Sequence, residues 1–193
     1  MKKLSRDDLF SLEKYAQIRA EFRSKVIAHK KKRHMAVGPN MTLQFEDRLT
    51  IQYQIQEMLR IEKIFETEGI TDELQSYNPL IPDGDNWKVS LMIEFDDEIE
   101  RRKALTDMVG VENKVWVRVG QFDPVYAIAD EDLDRTTQEK TSAVHFLRFQ
   151  LPEAQISAIK GGESFRMGVE HDAYTYQVDV PPETQKALAE DLN

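Results

Sequence analysis

The chain contains no cysteine in 193 residues. This absence excludes disulfides, thiolate catalysis and any zinc or iron–sulfur site held by cysteine on this chain. Histidine is also scarce, with four residues in all. A metal ion can therefore be held only by a few imidazoles and by carboxylates.

Long hydrophobic runs are missing as well. No stretch reaches the roughly 18 apolar residues of a membrane-spanning helix, and the N-terminal MKKLSRDDLF lacks the apolar core of a signal peptide. We therefore predict a cytoplasmic protein that does not insert into membranes. There is also no glycine-rich phosphate loop, no His-Glu-x-x-His sequence and no nucleophile elbow, which argues against an ordinary nucleotide-binding or protease enzyme.

Charge is distributed unevenly along the chain. The net charge is -9, yet residues 1–33 hold 11 Lys/Arg and 4 Asp/Glu, a local +7 that leaves -16 on the other 160 residues. The acidic majority argues against a nucleic-acid ligand. The basic run Lys30, Lys31, Lys32 and Arg33 is interpreted either as a solvated helix end or as a site that docks an acidic partner. The same polarity is compatible with a homo-oligomer.

The order of the predicted elements indicates an α+β fold. Helical spacing dominates residues 1–76, and alternation dominates residues 87–180. Runs of strands after a helical segment are typical of antiparallel sheets with segregated helices. We predict a single domain, 1–193, in which one long central helix packs on a mainly antiparallel sheet of about six strands, with a short C-terminal helix.

The long central helix is predicted from Asp47 to Glu68, with Asp47 as N-cap and Gly69 as the C-terminal stop. Its apolar stripe places Glu62 among residues expected in the core: Ile51, Ile55, Met58 and Phe65. A second sector is expected to face solvent or a partner: Gln52, Gln56, Arg60 and Lys63.

Two histidines lie in phase with apolar residues of predicted strands. His145 alternates with Leu147 and Phe149, and His171 alternates with Val169. If these two strands pair and the long helix covers them, Glu62 approaches both imidazoles, and the three side chains are a sufficient set of ligands for Zn, Mn or Fe. Two alternatives stay open: a buried polar network in which each His is hydrogen-bonded, or a catalytic acid/base pair without metal.

Five stretches resemble an uncharacterised bacterial family of domains of unknown function. They are HKKKRHMAVGP (29–39), LQFEDRLTIQYQIQEMLRIEKIF (43–65), YNPLIPDG (77–84), EKTSAVHFLRF (139–149) and MGVEHDAY (167–174). The resemblance implies no catalytic residue. It implies a genomic context, because genes of this family tend to lie beside genes for a rubrerythrin-like protein and an iron–sulfur oxidoreductase.

Two functions follow as hypotheses. The first is an accessory or binding protein without a cofactor of its own, which acts with such a redox partner in peroxide or redox physiology. The alternative is a metal-dependent enzyme with its site at His145, His171 and Glu62.

Overall fold

The computed structural model describes residues 1–137 and 139–193. Six α-helices lie in this part of the chain: α1 Leu12–Lys30, α2 Arg48–Ile61, α3 Thr67–Tyr77, α4 Glu98–Asp107, α5 Glu153–Lys160 and α6 Pro182–Ala189. Short 3-10 turns occupy Arg6–Asp8, Lys31–Arg33, Asn78–Leu80 and Val111–Lys114. Within the same residues, no helix combines the length and the apolar character needed to span a membrane.

Nine strands lie in the described residues: β1 His34–Ala36, β2 Met41–Glu46, β3 Asn86–Ile93, β4 Val115–Val119, β5 Val125–Tyr126, β6 Ile128–Ala129, β7 Val144–Gln150, β8 Phe165–His171 and β9 Tyr174–Asp179. They form two antiparallel sheets. Sheet A has the order β1-β2-β3-β7-β6, and sheet B has the order β5-β4-β8-β9. The predicted α+β class is confirmed, with two sheets in place of the single sheet that we expected.

The main core lies between the two sheets. Trp87 of β3 is fully buried and contacts both of them, with its ring 5.9 Å from Phe45 of sheet A and 5.2 Å from Phe165 of sheet B. Its indole Nε1 donates to the carbonyl of Leu188 at 2.9 Å, which ties α6 to the core. A smaller apolar cluster joins α2 and α3 to the N-terminal segment through Leu4, Ile51, Ile55, Leu59 and Leu74.

The N-terminus of α2 forms as the sequence predicts. Asp47 is the N-cap, and its Oδ1 accepts from the backbone N–H groups of Leu49 and Thr50 at 3.0 and 2.9 Å. The Thr50 hydroxyl accepts in return from the Asp47 N–H at 2.9 Å. This reciprocal capping satisfies donors that the first helical turn leaves free.

The predicted extent of the long helix is wrong, because the chain turns after Ile61. Lys63 has a φ of 57°, in the left-handed region, and the Ile64 N–H donates to the Leu59 carbonyl at 2.9 Å. These are the features of a Schellman C-cap, whose left-handed position is usually glycine. Gly69 has a different role inside α3: a Cβ added there would lie 2.7 Å from Ile64 Cγ2, so α3 approaches this closely because residue 69 has no side chain.

We expect Lys63→Gly to raise the free energy of unfolding by about 0.5–1 kcal/mol, because glycine adopts the left-handed conformation without the steric penalty of a side chain. Urea unfolding measures this change, and Lys63→Ala, which retains a Cβ, is the matched control and should leave stability unchanged. Equal effects of the two variants would contradict the left-handed C-cap.

Candidate functional site

The three predicted metal ligands lie on three separate parts of the fold. His145 on β7 is fully buried in sheet A, whereas His171 ends β8 in sheet B and is half-buried. The expectation that their strands pair is therefore wrong. Glu62 was expected inside the core but is exposed, because α2 ends one residue before it. In the described part of the chain, no group of three or more His, Asp or Glu side chains is arranged to hold a metal ion.

His171 uses both ring nitrogens locally. Its Nε2 donates to the Val109 carbonyl at 3.1 Å, and its Nδ1 accepts from the Ala173 N–H at 3.1 Å. A metal ligand needs a free lone pair on one nitrogen. In this arrangement neither nitrogen offers a free lone pair. The His171 ring instead joins Ala173, in the turn between β8 and β9, to Val109.

His145 belongs to a buried polar network. Its Nδ1 lies 2.6 Å from Asp130 Oδ2, and its Nε2 lies 2.8 Å from Thr141 Oγ1. Hydroxyl, imidazole and carboxylate follow in the order of a hydrolytic triad. Thr141 is nevertheless buried, and its hydroxyl lies 3.2 Å from Glu112 Oε2, so it is both inaccessible and already bonded. The geometry therefore supports the alternative of a hydrogen-bonded core histidine.

The basic run is only partly available to a partner. Arg33 is 2% exposed, and its guanidinium pairs with the Asp191 carboxylate and donates to the Ala187 carbonyl at 3.0 Å. Lys32 is exposed and lies 3.0 Å from Glu183. The sequence prediction is thus wrong for Arg33, because the 3-10 turn that ends α1 directs its side chain inward.

The carboxylates around Arg33 form a buried charge cluster. Asp47 Oδ2 lies 3.5 Å from Arg33 Nε and 2.5 Å from His29 Nε2. Burial raises the pKa of Asp191 to about 7, and its Oδ1 has no hydrogen-bond partner among the described residues. The cluster joins the end of α1, the start of α2 and the chain after α6.

The polar sector of α2 binds the N-terminal segment instead of solvent. Gln56 was expected to be exposed but is fully buried, and its Oε1 accepts from the Phe10 N–H at 2.6 Å. Gln52 Nε2 donates to the Asp8 carbonyl at 2.6 Å. The residue after Gln56 is Glu57, and hydrogen bonds from Arg19 lower the pKa of Glu57 to about 2. These contacts fix residues 8–19 across α2.

An exposed apolar surface lies where the long helix was expected to continue. Ile61, the last residue of α2, is 60% exposed, and Phe65, which follows the turn at Lys63, is 69% exposed. Phe65 borders a groove of about 480 Å³ between the turn and the N-terminal segment. Its apolar lining includes Leu9, Phe10, Leu12, Ile64 and Ile70, and its polar lining is Arg6, Asp7, Ser11 and Glu13. We call Ile61, Phe65 and this groove the turn patch.

The turn patch lies in an acidic stretch of the chain. Residues 61–73 contain five carboxylates and one lysine, a local charge of -4. Glu62, Glu66 and Glu68 are exposed. Burial raises the pKa of Glu73, whose Oε2 has no hydrogen-bond partner among the described residues. The patch thus combines an apolar centre with an acidic rim, and sequence reasoning missed it because it placed Phe65 in the core.

Comparisons with known proteins agree with this fold and assign no activity. A solved structure from Burkholderia pseudomallei K96243, described as a novel protein of unknown function, is 49% identical in sequence, with 100% of both chains covered and a TM-score of 0.95. No curated protein matches the chain. Residues 3–192 match the family described as "Protein of unknown function (DUF3501)". Because that match spans nearly the whole sequence, the chain belongs to the DUF3501 family.

Proposed function

We propose that the protein is a cytoplasmic accessory protein that docks a redox partner through the turn patch. The exposure of Ile61 and Phe65 at one turn carries the proposal. Large apolar side chains that project together beside a groove and are rimmed by charge are typical of protein-binding surfaces. The partner that fits has an apolar contact region bordered by basic residues, because the rim of the patch is acidic.

The redox character of the partner rests on the family resemblance. That resemblance implies that genes for a rubrerythrin-like protein and an iron–sulfur oxidoreductase lie beside the genes of this family. Iron centres on the partner fit a chain that lacks cysteine and so cannot itself hold a cysteine-ligated iron–sulfur cluster. The rival function, a metal-dependent enzyme, receives less support, because Glu62 is exposed and both nitrogens of His171 are engaged.

We expect the double variant Ile61→Ser/Phe65→Ser to lose at least tenfold in affinity for the partner, since each apolar anchor of an interface contributes more than about 1 kcal/mol. Calorimetric titration against the purified rubrerythrin-like protein and the iron–sulfur oxidoreductase encoded beside the gene measures this. Ile99→Ser is the matched control, because Ile99 on α4 is 80% exposed and outside the turn patch.

Two results would contradict the proposal. One is the absence of saturable binding of either partner to the wild type, and the other is equal affinity of the double variant and the Ile99→Ser control. A second comparison uses Lys31→Ser/Lys32→Ser at low and high salt. A salt-dependent loss of affinity in that variant, with no loss in Ile61→Ser/Phe65→Ser, would transfer the docking site to the basic run.

A further inference from the structure

A second cavity lies on the opposite side of sheet A from the main core. Along β3, Trp87 and Val89 face the core, so Lys88 between them faces outward. The strand register places Lys88 between Glu46 of β2 and Arg148 of β7. The end of α3 and the turn Asn78–Leu80 lie over this face and border a cavity of about 460 Å³ that is open to solvent on one side.

The walls of this cavity are mainly apolar. Tyr77, Pro79 and Leu80 line it from above, and Phe146 of β7 lines it from the sheet. Its volume is within the range of about 300–1,000 Å³ that is typical of small-molecule sites. Pockets of this kind orient a ligand through a small number of polar groups among apolar walls.

The two acidic side chains at the edge of the cavity are already neutralised. Glu131 accepts two hydrogen bonds from Arg148, at 2.8 and 2.7 Å, and Asp132 accepts two from Arg135, at 2.5 and 2.6 Å. Bidentate pairs of this geometry satisfy both partners. Neither arginine therefore has its charge free for a ligand.

Among the described residues that line the cavity, Lys88 is the cation that remains. Its side chain is 14% exposed, and the nearest carboxylate oxygen, Oδ2 of Asp83, is 3.9 Å from its Nζ. Asp83 is itself held at 2.8 Å by Lys3. The carboxylate opposite, Glu46, accepts from the hydroxyls of Ser90 and Thr50.

Within residues 1–137 and 139–193, the Lys88 ammonium thus makes an ion pair at the outer limit of contact and no hydrogen bond. Burial lowers the pKa of Lys88, as expected for an ammonium that lacks compensating contacts. A charged group in this position gains more from an anionic ligand than a solvated lysine does, because most of its hydration has already been lost.

We propose that this cavity binds a small organic carboxylate, with its carboxylate group on Lys88 and its hydrocarbon or aromatic body against Tyr77, Pro79, Leu80 and Phe146. One free ammonium matches a single negative charge. A phosphate dianion fits less well, because it needs several donors, whereas the arginine pairs leave only the Lys88 ammonium for a ligand within the described lining of the cavity. The proposal is independent of the turn patch, which lies on a different surface of the helical layer.

The test uses the purified full chain without any partner. Hexanoate and benzoate are the probes, hexanamide and benzamide are their neutral counterparts, and inorganic phosphate is the control for charge alone. Binding is followed by calorimetry or by chemical-shift changes. We expect saturable binding of at least one of the two acids. Its amide should bind about tenfold or more weakly, because a charge-assisted hydrogen bond is lost. Phosphate should also bind about tenfold or more weakly, because it makes no apolar contacts.

Lys88→Met removes the ammonium and keeps the aliphatic stem. It should weaken binding of the acid about tenfold or more, whereas Lys114→Met, which changes an exposed lysine at the end of a 3-10 turn, should leave it unchanged. Lys88→Gln replaces Lys88→Met if the latter does not show the far-ultraviolet circular dichroism of the wild type. Phe146→Ala should also weaken binding, through loss of the apolar contact.

The proposal would be overturned if neither acid bound saturably to the wild type below about 10 mM, the weak end of specific ligand affinity. It would also be overturned if the Lys88 variant bound the acid as tightly as the Lys114→Met control, or if phosphate bound as tightly as the acids.

Discussion

Arg33→Met should lower the free energy of unfolding at pH 7 by about 3–5 kcal/mol, a large fraction of the stability of a domain of this size. The guanidinium is buried between Asp191 and Asp47 and also donates to the Ala187 carbonyl. Methionine fills a similar volume but leaves the Asp191 carboxyl and the Ala187 carbonyl without the guanidinium, while Asp47 keeps its contacts with His29 and the helix N-terminus. Denaturant unfolding measures the loss.

Lys32→Met is the matched control for this prediction. Lys32 is the preceding residue and pairs with Glu183, but both side chains are more than half exposed. Exposed pairs contribute about 0–1 kcal/mol, so the change should be within about 0.5 kcal/mol of zero. If the two variants had the same stability, Arg33 would be solvated and would belong to the basic surface after all.

Asp191→Asn should change the pH dependence of stability. Burial raises the pKa of Asp191 from 3.8 to about 7, so the folded state holds this proton more tightly than the unfolded chain does. The resulting stabilisation is complete below about pH 4 and is lost as the pH rises through about 7. This change in the pKa of Asp191 corresponds to on the order of 4 kcal/mol.

The Asp191→Asn variant has no ionisable side chain at position 191, so its stability lacks this dependence on pH. At pH 4.5 its stability should be within about 1 kcal/mol of that of the wild type, because Asp191 of the folded wild type is then neutral. At pH 8 the variant should be more stable by several kcal/mol, because Asp47 remains 3.5 Å from Arg33 to balance the guanidinium. Urea unfolding of both proteins at these two pH values makes the comparison. A variant that is less stable at pH 8 would show that the Asp191 carboxylate is ionised and stabilising.

The sequence predicts those elements that depend on local patterns. The alternation of Trp87, Val89, Leu91 and Ile93 correctly marks one face of a half-buried strand, and Asp47 correctly marks a helix start. Neither inference requires knowledge of distant residues, since a period of two and an N-cap are properties of a few consecutive positions.

The errors arise where tertiary contacts decide the conformation. Lys63 gives no local sign of a helix end, because its left-handed conformation depends on the Ile64 N–H bond to the Leu59 carbonyl and on the packing of Ile64 against the small core and Gly69. The burial of Arg33 depends on Asp191, 158 residues later in the sequence. The cavity around Lys88 needs α3 to cross a sheet face, which no periodicity encodes.

The assignment of His145 to a buried position was right, and the assignment of its neighbours was wrong. Its phase with Leu147 locates it on the core side of β7, but its partners come from the connection before the strand and from the 3-10 turn that contains Glu112. Strand adjacency in the sequence suggested His171 instead. The chain changes sheet between β7 and β8, and that change separates the two imidazoles.

The alternation of the chain between the sheets has a kinetic consequence. Sheet A takes strands β1 to β3, then β6 and β7, while sheet B takes β4 and β5, then β8 and β9. The central pair of sheet A joins Trp87 to Phe149, so more than 50 residues must be synthesised after β3 before its edge is covered. Closing such long loops before any contact is gained makes folding slow. During translation β3 therefore leaves the ribosome with one edge exposed, and chaperones that shield unpaired strands have their longest opportunity to act on this protein at that stage.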